Sequence, residues 1–159
     1  MKWDLISDII LLASFAILGV FVVLGLYQLI TRKSLLKVDH RLLWMILPLA
    51  LMAITYVIFD KFLVLNTRPN GSGEASFPST HVMVVSTIFL IIVLNLPHYI
   101  KSKTAWIVID IAMLLLIVLV CVGRVLSEMH WLSDVLGGLV FAIIFAVIYY
   151  LIIRRKSNA

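Results

Sequence analysis

Five long apolar stretches separated by short polar segments leave this chain few ways to fold. They run from Leu5 to Ile30, Leu42 to Phe59, Val82 to Leu96, Thr104 to Val122 and Val135 to Ile153. Each is continuously apolar and does not alternate, which argues against half-buried strands and against the strands of a membrane barrel. A helix needs about 20 residues to cross a hydrocarbon core, with about 17–25 tolerated. The first stretch can cross with tilt, and the second, fourth and fifth fit well. The third is short and must borrow flanking residues. Backbone groups in lipid have to satisfy one another, so the expected fold is an all-α polytopic transmembrane bundle of five or six spanning helices.

Composition points the same way. Of 159 residues, 64% are hydrophobic and only 13% are charged, against about 45–50% and about 25% in soluble domains. The length suits a single domain over residues 1–159 with no separate soluble module. Cys121 is the only cysteine, so an intramolecular disulfide is excluded. The first apolar run is too long for a signal peptide, and Asp4 and Asp8 stand where such a peptide carries positive charge. Trp3, Trp44, Trp106 and Trp131 lie near helix ends, as in an aromatic belt. Gly137 and Gly138 suit close helix packing. Asp110, inside the fourth run, is expected to make a structural hydrogen bond, because a free carboxylate is costly there.

The net charge of +5 does not indicate nucleic acid, because the basic residues sit in short patches between apolar runs. Those patches orient the chain. With the Thr31–Arg41 loop, the His98–Lys103 loop and the C-terminus on one side, that side holds Arg32, Lys33, Lys37, Arg41, Lys101, Lys103, Arg154, Arg155 and Lys156. The other side holds Lys2, Lys61, Arg68 and Arg124. The positive-inside rule makes the first side cytoplasmic and puts the N-terminus outside.

Three of the four outer cations recur in a pattern. Lys61 closes the second helix, and Arg68-Pro69 follows after six residues. Pro78-Ser79-Thr80-His81 opens the third helix. Arg124 follows the fourth, His130 comes after five more residues, and Asp134 opens the fifth. Helix parity brings all of them to one face. Cations, two histidines, a serine and a carboxylate at one end of a bundle form an anion site with acid–base equipment. The chemistry suits phosphoryl transfer, where charge on the phosphoryl oxygens is the main burden. His130 and Asp134 stand one helical turn apart. A carboxylate on one imidazole nitrogen would leave the other free to attack phosphorus, and His81 could protonate the leaving oxygen and then activate water. No cluster has metal-ligand spacing.

Lys-x6-Arg-Pro, Pro-Ser-x-His and Arg-x5-His-x3-Asp, in this order between these helices, resemble the type 2 phosphatidic acid phosphatase superfamily. The resemblance covers about half the chain, from Lys61 to Asp134. It implies a metal-independent phosphatase in which His130 is the nucleophile, Asp134 orients it and His81 is the general acid. It implies that Lys61, Arg68, Ser79, Thr80 and Arg124 bind phosphate, with no cofactor. Thr80 stands where the family usually has Gly, Gly123 stands where it usually has Ser, and family members in membranes commonly have six helices.

The expected substrate is a lipid phosphate or diphosphate, of undecaprenyl diphosphate, phosphatidylglycerol phosphate or phosphatidic acid type, met at the extracytoplasmic face. Membrane lipids are the other expected partners, nucleic acid is not one, and the small size suggests a bacterial plasma membrane. The rival reading is a membrane protein that binds lipid phosphate without turnover. A transporter or channel is weaker, since Asp110 alone stands out as a polar group deep in a helix.

Overall fold

The computed structural model describes residues 2–157, and among them it is mostly helical, with no strand beyond one isolated bridge, Thr67 to Ala75. The elements are α1 (Lys2–Arg32), α2 (His40–Trp44), α3 (Ile46–Val57), a π turn (Ile58–Phe62), α4 (Thr80–Val93), α5 (Leu96–Tyr99), α6 (Lys103–Leu126) and α7 (Leu132–Ser157). Among the described residues, five helical segments are long and apolar enough to cross a membrane: Lys2–Arg32, His40–Phe62, Thr80–Tyr99, Lys103–Leu126 and Leu132–Lys156. The number is five, and each overruns its apolar stretch because polar residues occupy the ends. Asp39 caps α2 by accepting from the Arg41 N–H at 2.9 Å, and Ser102 caps α6 by accepting from the Ala105 N–H at 3.3 Å.

The shortest apolar stretch turns out to be the centre of the bundle. Helix α4 packs against α1, α3, α6 and α7. Val82, Met83, Val85, Ile88, Phe89 and Ile92 are completely buried in it. Two-thirds of its span is buried (67%), against 11–33% for the other four. A helix surrounded by protein need not be uniformly apolar. Ser86 and Thr87 interrupt its hydrophobic run without facing lipid, and Thr87 Oγ1 donates to the Met83 carbonyl at 2.7 Å.

Helix α7 lies closest to α4, and glycine makes that approach possible. A Cβ on Gly138 would stand 2.8 Å from the Ser79 carbonyl oxygen and 3.2 Å from the Met83 nitrogen. The expectation of close packing at this pair of glycines therefore holds in the geometry.

The end of the bundle away from this contact ties the basic side together. Asp39 Oδ2 accepts from Tyr99 Oη at 2.8 Å and lies 2.9 Å from His98 Nε2. Asn95 donates to Tyr149 Oη, which donates to the Arg41 carbonyl at 2.9 Å. Two readings change. Asp110 does not make the expected bond through Oδ1, which is buried with no partner among the described residues. Trp131 does more than mark an interface, because its indole N–H donates to the Thr67 carbonyl at 2.9 Å.

Candidate active site

The N-termini of α1, α4 and α7 and the C-terminal ends of α6 and the π turn meet at the other end of the bundle, around a cavity of about 450 Å³. Its polar wall is Asp60, Arg68, Thr80, His81, Arg124 and His130. Its apolar wall is Leu11, Phe15, Met52, Ala53, Tyr56, Ala75 and Val84, from α1, α3, α4 and the loop before α4. Helix α4 presents the positive end of its dipole here, a favourable setting for an anion.

The segment between the π turn and α4 carries Arg68 to the cavity. It doubles back on itself: the Arg68 N–H donates to the Glu74 carbonyl at 3.0 Å and the Ser76 N–H to the Asn66 carbonyl at 2.9 Å. Gly71 and Gly73, with φ of 75° and 73°, make the reversal that side chains rarely allow. Arg68 pairs with Glu74 at 2.8 Å. Phe59 packs on Phe77, with ring centroids 5.5 Å apart, and holds the segment to the bundle.

Asp134 fastens the other motifs to this segment. It is completely buried, and its carboxylate accepts from the Trp131 N–H at 2.9 Å and from Asn66 Nδ2 at 3.2 Å. Its backbone carbonyl accepts from the Ser79 N–H at 2.9 Å. One residue thus joins the loop, the start of α4 and the turn before α7.

His130 is 4% exposed. Its Nδ1 lies 2.8 Å from the Ser76 carbonyl oxygen and 3.9 Å from Asp134 Oδ2. The direct bond that sets the ring therefore comes from a backbone carbonyl, and Asp134 acts beside it, not through it. A carbonyl can only accept, so Nδ1 carries the proton and Nε2 keeps its lone pair. Burial, then the nearby Arg124 guanidinium, push the His130 pKa down to about 4, which leaves the ring neutral at ordinary pH.

Arg124 is 2% exposed and pairs with Asp4 of α1. His81 Nε2 lies 2.8 Å from Asp8 Oδ1, also of α1. The Nε atoms of Arg68 and Arg124 are buried with no partner among the described residues. Unpaired buried donors beside a cavity fit an anionic guest with several acceptor oxygens.

Two expected phosphate binders stand apart. Lys61 does not line the cavity; its side chain is 68% exposed and pairs with Asp60 at 2.7 Å. Ser79 precedes α4 but makes no side-chain cap, and it is fully buried without lining the cavity. Gly123 does not face the cavity either: a Cβ there would meet Ser7 Oγ at 2.8 Å. Sequence reasoning missed Asp4, Asp8, Asn66 and Ser76. The two carboxylates one helical turn apart at the start of a membrane helix were the available signal. Ser76 acts through its backbone and gave none.

The sequence model of the PAP2 superfamily matches residues 55–158. No curated protein matches the chain. Among solved structures, the chain is similar to a transmembrane PAP2-type phosphatidylglycerolphosphate phosphatase from Bacillus subtilis, with a TM-score of 0.67 and 21% identity. The alignment covers 99% of this chain and 75% of that one, a likeness of fold.

Proposed function

This chain belongs to the PAP2 superfamily, and from that premise we propose that it is a membrane phosphatase that hydrolyses a lipid phosphate or diphosphate at the extracytoplasmic face through a phosphohistidine. The observation that carries the reading is His130 buried beside Arg124 and Arg68, with its Nδ1 committed to the Ser76 carbonyl.

In the first step the Nε2 lone pair of His130 attacks phosphorus. The bond from phosphorus to the lipid oxygen breaks, its electron pair stays on that oxygen, and His81 supplies the proton. In the second step water attacks the phosphohistidine and gives its proton to His81. The P–N bond returns its pair to Nε2, and phosphate leaves. Arg68 and Arg124 offset the charge on the phosphoryl oxygens, and Lys61 at the rim attracts the anion as it arrives. In this reading the chain supplies these charges itself.

The apolar wall supports a lipid substrate. Leu11, Phe15, Met52 and Val84 continue from the polar wall into the bundle, where acyl or prenyl tails would lie. The basic residues gather at the opposite end, which supports an outward-facing site. Undecaprenyl diphosphate, phosphatidylglycerol phosphate and phosphatidic acid all fit this chemistry.

The test is phosphate release by purified protein in detergent micelles from each of these three lipids, with EDTA present, beside His130→Ala. Release that survives the chelator and is lost in the variant supports the reading and ranks the substrates. Tight binding of the lipids without release would overturn it in favour of a non-catalytic lipid-phosphate binder.

A further inference from the structure

Helix α1 lies outside the residues matched by the family, which begin at residue 55. It nevertheless sends two carboxylates to residues that line the cavity. Asp4 and Asp8 are one helical turn apart on the same face of α1; Asp4 meets Arg124 and Asp8 meets His81. Each of the two thus reaches a polar residue of the cavity wall from outside it.

We infer that Asp8 is a positioning residue for the reaction, holding the His81 ring by Nε2 so that Nδ1 faces the leaving oxygen and the imidazolium formed there is stabilised. The inference rests on the phosphatase reading above. With Nε2 bonded to Asp8 at 2.8 Å, Nδ1 is the ring nitrogen left to pass the proton. A carboxylate behind an imidazole fixes its tautomer and favours its charged form, the arrangement that serves proton transfer in hydrolytic triads. Asp8 and Asp4 of α1 and Arg124 of α6 are the charged groups around His81 from those elements. Arg68 and His130 line the same cavity. Asp4 is already engaged by Arg124, so Asp8 is the carboxylate left to support the ring.

The step that needs His81 as an acid is departure of the lipid oxygen, an alkoxide that leaves poorly without a proton. A nitrophenolate leaves readily without one. The two leaving groups therefore separate positioning of the acid from a general structural role.

The experiment compares wild type, Asp8→Asn, Asp8→Glu, His81→Gln and Asp8→Asn/His81→Gln in detergent micelles, using phosphatidic acid and p-nitrophenyl phosphate. For phosphatidic acid, Asp8→Asn is expected to lower kcat/KM by about 10-fold or more, a part of what general acid catalysis supplies. The basic limb of its pH profile is expected to move to lower pH. Asp8→Glu should recover much of the loss, the nitrophenyl ester should lose far less, and Asp8→Asn should cost nothing further once His81 is Gln. Equal losses on both substrates, or additive losses in the double variant, would reduce Asp8 to a structural role and overturn the inference. Unchanged or raised activity in Asp8→Asn would overturn it as well, leaving the phosphatase reading intact. If Asp8→Asn does not fold, a full-activity Asp8→Glu with an unshifted profile in His81→Gln decides for the inference, and an equally impaired Asp8→Glu on both substrates decides against it. No release by wild type from either substrate, nor from undecaprenyl diphosphate or phosphatidylglycerol phosphate, would overturn the phosphatase reading and this inference with it.

Discussion

The imidazole Nδ1 of His130 and the backbone carbonyl of Ser76 are joined by a 2.8 Å hydrogen bond across 54 residues of sequence. That bond fixes the proton on Nδ1 and leaves Nε2 as the unprotonated nitrogen. Burial and Arg124 then keep the ring neutral, with a pKa pushed down to about 4.

The sign of the resulting pH dependence follows. The unfolded histidine titrates near 6.5, above the folded value, so acid favours the unfolded chain. The contribution of His130 to stability is complete above about 6.5 and is lost as the pH falls towards about 4. Melting midpoints measured across that window should fall more steeply for wild type than for His130→Gln. Parallel curves would mean that the ring titrates as it does in water.

Asp134 is predicted to matter for the fold before it matters for chemistry. Asp134→Ala leaves the Trp131 N–H and Asn66 Nδ2 without their acceptor. Asn66 and Trp131 are exposed residues, so each lost bond costs about 0.5–1.5 kcal/mol. The melting midpoint should drop by about 2–4 °C per kcal/mol, and phosphate release should fall with it. A variant that melts like wild type would show that water replaces the carboxylate.

Two glycines give an internal control on packing. Gly138→Ala places a methyl 2.8 Å from the Ser79 carbonyl, so α4 and α7 must separate, at about 1–3 kcal/mol. Gly19→Ala meets nothing within 4 Å and should be neutral or stabilising by up to about 1 kcal/mol. Thermal unfolding in one detergent ranks the pair, and equal stability would mean that the α4–α7 approach is looser than it stands.

Gly123→Ser restores the residue common in related motifs, yet it should destabilise this chain. Its Cβ would collide with Ser7 Oγ at 2.8 Å, a hydroxyl already held by the Trp3 carbonyl at 2.9 Å. Removing that hydroxyl with Ser7→Ala should relieve the clash. The double variant is expected to melt above Gly123→Ser alone, and a double variant that melts lower would locate the strain elsewhere.

The helices and most of the site were legible in the chain because both rest on local rules. Apolar length sets each crossing, and odd numbers of crossings put Arg68, His81, Arg124 and His130 at one face before any contact is known. The tertiary structure decided what local rules do not carry. The third apolar run is short because α4 is surrounded by protein, which exempts Ser86 and Thr87 from contact with lipid. Spacing put Lys61 in the site, but the π turn at the end of its helix directs it to solvent and to Asp60. Spacing paired His130 with Asp134, but the direct bond comes from Ser76, whose carbonyl carries no mark of residue type. Asp4 and Asp8 reach Arg124 and His81 only because Gly123 lets α1 close on α6. Periodicity and charge determine which residues share an end of the bundle; side-chain packing determines which of them touch.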